Sequence, residues 1–151
     1  TLIQTRIMSF EMARALIFER MRFSKKLSPQ LAQQLSEGAQ IPYEQYQNDL
    51  MKAQTARFAI AQLFDNELDI LIAPSAPGEA PLAKEGTGNP VFCRGWTLSG
   101  LPCINLNVSS GPNGLPVGVQ LIAGPGKDRF LLSAARAFAQ ALPDPVLRDQ
   151  A

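Results

Sequence analysis

Residues 86–123, GTGNPVFCRGWTLSGLPCINLNVSSGPNGLPVGVQLIA, restrict the possible folds more than any other part of this chain. Glycines and prolines punctuate the stretch at fixed places, and the apolar segments between them are short enough only for strands. Residues 103–108 alternate in polarity and 117–123 are largely apolar, with Pro112-Asn113-Gly114 between them, so the pair is predicted to be a β-hairpin. Before the hairpin, Trp96 and Thr97 sit in loop that leads into a Gly100-Leu101-Pro102 turn. Gly95, Gly100 and Pro102 shape the backbone there.

The elements on either side follow from periodicity. Residues 68–73 are too short for a helix and rich in large apolar side chains, which predicts a third strand buried on both faces and ended by Pro74 and Pro77. Residues 78–91, broken by Gly78, Pro81, Gly86, Gly88 and Pro90, form a long loop of the kind that often carries function. A helix is expected over 128–142, with Asp128 at its positive end and Phe130 or Leu131, Ala135, Phe138 and Leu142 inward. The residues from Pro143 should fray.

Upstream, 6–23 is predicted as one amphipathic helix with Ile7, Phe10, Ala13, Ile17 and Met21 on its buried face. Ser28-Pro29 starts a short helix that Gly38 ends. Residues 43–64 form a long helix whose stripe carries Tyr43, Tyr46, Leu50, Ala53, Ile60 and Phe64, the tyrosines being core. Helices, a strand, a hairpin and a covering helix together give an α/β fold.

Composition removes several functions. A net charge of +1 spread over 151 residues is no polyanion footprint, and the four cations between Arg20 and Lys26 suit a solvated helix face. No nucleic-acid or membrane partner is therefore expected. The N-terminal residues lack a signal-peptide layout, so a cytoplasmic location is expected. The chain has no histidine, which excludes Ser-His-Asp and Cys-His catalysis and the commonest metal ligand. Two cysteines, Cys93 and Cys103, cannot make a zinc site and are expected as free thiols, buried or facing a pocket. No metal or cofactor is anticipated.

Some residues depart from their surroundings. Arg57 falls on the apolar stripe of the long helix. A guanidinium stays charged, so it needs a carboxylate, carbonyls or a ligand anion; an ion pair, a snorkelling stem and a bidentate grip on a substrate carboxylate all fit. Gln120 is polar within an apolar strand and should bond backbone at a strand end. Trp96, the single tryptophan, suits packing. Asp65, Glu67 and Asp69 alternate around a helix end and read as solvated.

The ordered series Asp69-Ile70-Leu71-Ile72-Ala73-Pro74-Ser75, then Trp96-Thr97-Leu98-Ser99-Gly100-Leu101-Pro102, then Leu115-Pro116-Val117-Gly118-Val119-Gln120-Leu121-Ile122, then Leu131-Leu132 resembles the C-terminal part of the amidase signature family. The likeness spans nearly the whole chain. It implies a larger mixed sheet flanked by helices, and hydrolysis or transfer of carboxamides through a serine acyl-enzyme. In the family a Gly/Ser-rich signature holding the nucleophilic serine, a second serine and a lysine further upstream all lie N-terminal to the part matched, and no such run occurs here; Ser109-Ser110 is turn chemistry. The chain is thus expected to be a C-terminal portion, helical over 6–64 with strands, loop and final helix over 68–142. It would contain no catalytic residue and be inactive alone, with the N-terminal catalytic portion and a small-molecule amide as partners. The resemblance further implies a substrate-binding role for Arg57, Cys93, Trp96 and Thr97, with Arg94 beside them. No acidic residue stands at Asn89 or Pro90, where some members carry one. Two rivals are a non-catalytic dimerisation or binding module and a fragment of a glutamine-dependent amidotransferase A subunit. Because 68–73 and 117–123 look too apolar for an exposed sheet edge, a homo-oligomer joined through the sheet or the 43–64 helix is also expected.

Overall fold

The computed structural model describes residues 2–142, and the fraying expected from Pro143 lies outside them. The chain divides into two compact units, residues 1–56 and 57–151.

The first unit is helical: α1 (Leu2–Ala15), α2 (Ile17–Arg22), α3 (Pro29–Gln40) and the first turns of α4 (Tyr43–Asn66). Its core joins Ile7, Phe10 and Ala13 of α1 to Leu35 of α3 and Ala53 of α4. Ser28 caps α3 as expected, its hydroxyl accepting from the Leu31 amide at 3.3 Å. Gly38, however, does not end α3. It lies inside the helix against the Ser9 carbonyl, where a Cβ would sit 3.2 Å from the Ala13 Cβ and closer still to the Ser9 backbone. The glycine there permits close helix packing rather than a cap. The single helix expected over 6–23 is also corrected. It breaks at Leu16, whose ψ of 27° leaves the helical region, and the periodic stripe loses its phase, so Ile17 is exposed and Met21 is 78% exposed.

On α4 the buried side differs from the expected stripe. Tyr43 is 64% exposed, while Asp49 is completely buried. Arg6 of α1 holds that carboxylate with two bonds of 2.6 Å, and Gln45 donates a third at 3.2 Å. Tyr46 is only half-buried, stacked on Phe10 with ring centroids 4.0 Å apart and its hydroxyl donating to Glu11 at 2.9 Å.

The second unit contains the last turns of α4, β1 (Ile70–Pro74), α5 (Arg94–Ser99), β2 (Cys103–Ser110), β3 (Pro116–Ala123) and α6 (Asp128–Ala141). Its sheet runs β1-β3-β2 and both pairings are antiparallel. The hairpin is as predicted, with Gly114 in the left-handed region at φ 75° and a register shift between Asn107 and Ser109. Leu131 and Ala135 of α6 pack on Leu121 and Ala123, with Ile70, Ile104, Leu106 and Phe138 around them. Phe130 is exposed, leaving Leu131 as the inward residue.

Two strand expectations are corrected. β3 is central, paired on both sides, so its apolar run needs no further strand. β1 is at the edge and is not buried on both faces: Ile72 is 53% exposed. The loop before the hairpin also contains a helix the sequence did not suggest, α5.

Candidate functional site

The site is built around α5. A helix of six residues with Gly95 and Thr97 inside it has little intrinsic stability, so its position must be fixed by neighbours. Its C-terminal end is closed by Gly100 at φ 67°, with the Leu101 amide reaching back to the Trp96 carbonyl at 3.1 Å. At its start, Thr97 donates its hydroxyl to the Cys93 carbonyl at 3.0 Å.

Side chains from two other elements reach the ends of this helix. Arg57 of α4 donates through Nη2 to the Leu98 carbonyl at 2.8 Å. Gln120 of β3, 4% exposed, donates from Nε2 to the Pro74 carbonyl at 2.8 Å and to the Phe92 carbonyl at 3.1 Å. Gln120 thereby bonds backbone at a strand end, as its apolar setting suggested. Arg57 is exposed rather than sunk in an apolar stripe, and a carbonyl is the partner it takes.

The thiols lie beside this framework. Cys93, half-buried, sets its sulfur 3.6 Å from the Ser75 carbonyl and 3.9 Å from Gln120 Oε1. Cys103 contacts the Leu101 carbonyl at 3.5 Å and is free, but it is exposed rather than buried as expected, because it opens β2 at the sheet edge. Desolvation, and secondarily the neighbouring Cys93, raise the pKa of Cys103 above the usual thiol value. A raised value keeps it protonated, the opposite of what a nucleophilic cysteine requires. On the same sheet surface the Ser75 hydroxyl donates to Asn105 Oδ1, and Gly118 leaves the room this pair occupies: a Cβ there would lie 3.1 Å from Ser75 Oγ.

Trp96 is half-buried, and its indole N–H is buried without a hydrogen-bond partner among the described residues. Buried donors are nearly always paired, so this one stands out. The structure thus places Trp96 and Thr97 on α5, Cys93 at the residue just before it, and Arg57 at its last turn. The sequence did not single out Ser75 and Asn105; the only hint was the polar side of the β2 alternation, Asn105 and Asn107. Two clefts of this unit are lined by other residues. One of about 220 Å³ lies among Phe64, Asp65, Leu68, Asp69 and Phe130. Another, of about 450 Å³, lies beside Glu79, Pro81 and Asn113. Among the described residues no group of three or more His, Cys, Asp or Glu side chains is placed to hold a metal, and no helix is long and apolar enough to cross a membrane.

Comparison with known proteins gives the chain its relatives. A family model described as Amidase matches residues 8–132. The A subunit of the glutamyl-tRNA(Gln) amidotransferase of Ralstonia nicotianae is 36% identical over 101 residues, covering 60% of this chain and 20% of that protein. Its mitochondrial counterpart in Homo sapiens is 30% identical over 120 residues, covering 71% of this chain and 23% of the relative. A crystal structure of an amidase superposes with a TM-score of 0.84 at 22% identity, covering 93% of this chain and 35% of that one. The chain spans about a fifth to a third of the length of these proteins.

Proposed function

The chain belongs to the amidase family, and from that premise we propose that it supplies a wall of the substrate pocket of a serine amidase that cleaves carboxamide C–N bonds. The observation that carries this reading is the approach of Arg57 to α5, whose Trp96 and Thr97 follow directly on Cys93 at its N-cap. In this scheme an activated serine outside the 151 residues attacks the amide carbonyl. An acyl-enzyme forms, the amine leaves, and water or another acceptor takes the acyl group. The residues here bind and orient: Trp96 offers an apolar face to the acyl group, and its indole N–H is a donor without a partner among the described residues. Arg57 has committed one N–H to Leu98, and the rest of its fork is available for an anionic substituent.

Titrating the ¹⁵N-labelled chain with benzamide and with L-glutamine tests this role. Chemical-shift changes at Cys93, Thr97 and the Trp96 indole N–H are the expected result. Changes confined to the Phe64–Phe130 cleft, or none up to high millimolar ligand, would remove the pocket-wall role. A second reading, that the chain is a portion of a glutamine-dependent amidotransferase A subunit, is favoured by the relatives named above. It requires glutamine to perturb α5 more strongly than benzamide does, with Arg57→Ala abolishing the difference.

A further inference from the structure

We propose that Arg57 and Gln120 are positioning residues that clamp α5 from opposite ends, and that the geometry of the Cys93–Trp96–Thr97 surface depends on them. The proposal rests on the reading of α5 as pocket wall, but its test does not. The two contacts come from distant parts of the sequence, 41 residues from Leu98 for Arg57 and 28 from Phe92 for Gln120. They meet the backbone just before α5 and at its last turn. Neither carbonyl lies in a strand: Phe92 precedes α5, and Leu98 lies in its last turn, where the Gly100 and Leu101 amides bond the Thr97 and Trp96 carbonyls and Arg57 takes that of Leu98. The Arg57 bond is charge-assisted, the stronger kind. Gln120 spends both N–H groups, one on the end of β1 and one on the approach to α5, and its oxygen lies 3.9 Å from the Cys93 sulfur. One buried amide therefore ties together β1, β3 and the start of α5. A six-residue helix without such ties would sample other positions, because helices this short do not persist alone.

The protein carries its own reporters. Trp96, the only tryptophan, sits in α5, so emission excited selectively at the indole, beyond the absorption of Tyr43 and Tyr46, reads this helix alone. Cys93 and Cys103 are the only thiols, one at α5 and one on β2, so the second is an internal control for the first. With Arg57→Ala, Trp96 emission should shift to longer wavelength, and Cys93 alkylation should accelerate about fivefold, the scale of one lost charge-assisted bond at an exposed site, while Cys103 keeps its rate. Arg57→Lys should recover most of the difference, since an ammonium can still donate to the Leu98 carbonyl. Gln120→Leu should raise the Cys93 rate further, by freeing the start of the helix. Arg57 is exposed, so its variants are expected to fold even if the Gln120 variant does not. Unchanged emission and an unchanged Cys93 rate in Arg57→Ala would overturn the clamp. So would equal acceleration of both thiols, which is general loosening. Should the emission and thiol changes appear while amide ligands leave α5 unperturbed, the clamp stands and the pocket-wall reading fails.

Discussion

The same substitution, glycine to alanine, should have opposite effects at two helical positions, and the structure says why. In a helix interior alanine is favoured over glycine by about 1 kcal/mol. Gly95, the second residue of α5, has no atom within 4 Å of where its Cβ would lie and is not among the glycines with positive φ, so it does not shape the backbone as the sequence suggested. Gly95→Ala should therefore realise most of that gain, raising the melting temperature by about 2 °C. Gly38 in α3 faces the α1 backbone: its Cβ would lie 2.5 Å from the Ser9 carbonyl carbon, against an ordinary separation of about 3.5–4.0 Å between carbons. Backbone cannot swing aside as a side chain can. α1 and α3 must part by about 1 Å, opening the contacts around Leu35, Phe10 and Ala13. Overpacking of this kind costs about 1–3 kcal/mol, and a collision with backbone belongs at the upper end. Subtracting the propensity gain leaves about 2 kcal/mol of destabilisation, or roughly 4–8 °C in a chain of this size. Thermal unfolding by circular dichroism, wild type beside each variant, measures both. A Gly38→Ala protein as stable as the wild type would refute the close approach and return Gly38 to the role of a simple helix terminator.

Other consequences are more direct. Arg6 holds the Asp49 carboxyl below the usual carboxylate range, chiefly by hydrogen bonding. Its contribution to stability is thus present above the unfolded value of about 3.9 and is lost as pH falls through the lower folded value. Denaturant midpoints measured from about pH 7 down to about pH 2 should show an acid limb that Asp49→Asn flattens, and parallel limbs would contradict the pairing. The purified 151-residue chain should not turn over aryl or aliphatic amides, because it holds no Gly/Ser-rich double-serine run and no histidine; an acyl-enzyme adduct in its mass spectrum would contradict this. Intact mass after alkylation should show two reactive thiols with or without reductant, while a two-dalton change on reduction would mean a bridge. β1 and β2 each pair on one side only among the described residues, so we expect self-association of the chain through a sheet edge. A concentration-independent 16.4 kDa species in sedimentation equilibrium would exclude it.

What the sequence disclosed and what it withheld divide along the range of the interactions involved. The hairpin and α6 were legible because their determinants are local: alternation in 103–108, turn residues at Asn113-Gly114, and three-to-four spacing from Leu131 to Phe138. The break at Leu16 was not legible, since neither glycine nor proline marks it and the apolar spacing continues through it. The buried face of α4 was misjudged for a related reason. Hydrophobicity chose Tyr43, but the neighbouring helix α1 supplies Arg6, and that guanidinium makes Asp49 the most deeply buried residue of α4. Gly38 shows the same ambiguity in one residue: the sequence offers a cap and a close approach equally, and only the neighbouring Ser9 backbone decides. At the site the pattern recurs. That Arg57 needed a partner followed from its charge, and that Gln120 would bond backbone followed from its setting, but the identities of Leu98, Pro74 and Phe92 depend on tertiary structure. α5 itself is the limiting case. Its residues carry too little propensity to announce a helix, and long-range hydrogen bonds reach both of its ends, so the surface richest in candidate site residues is the one whose local sequence says least about its conformation.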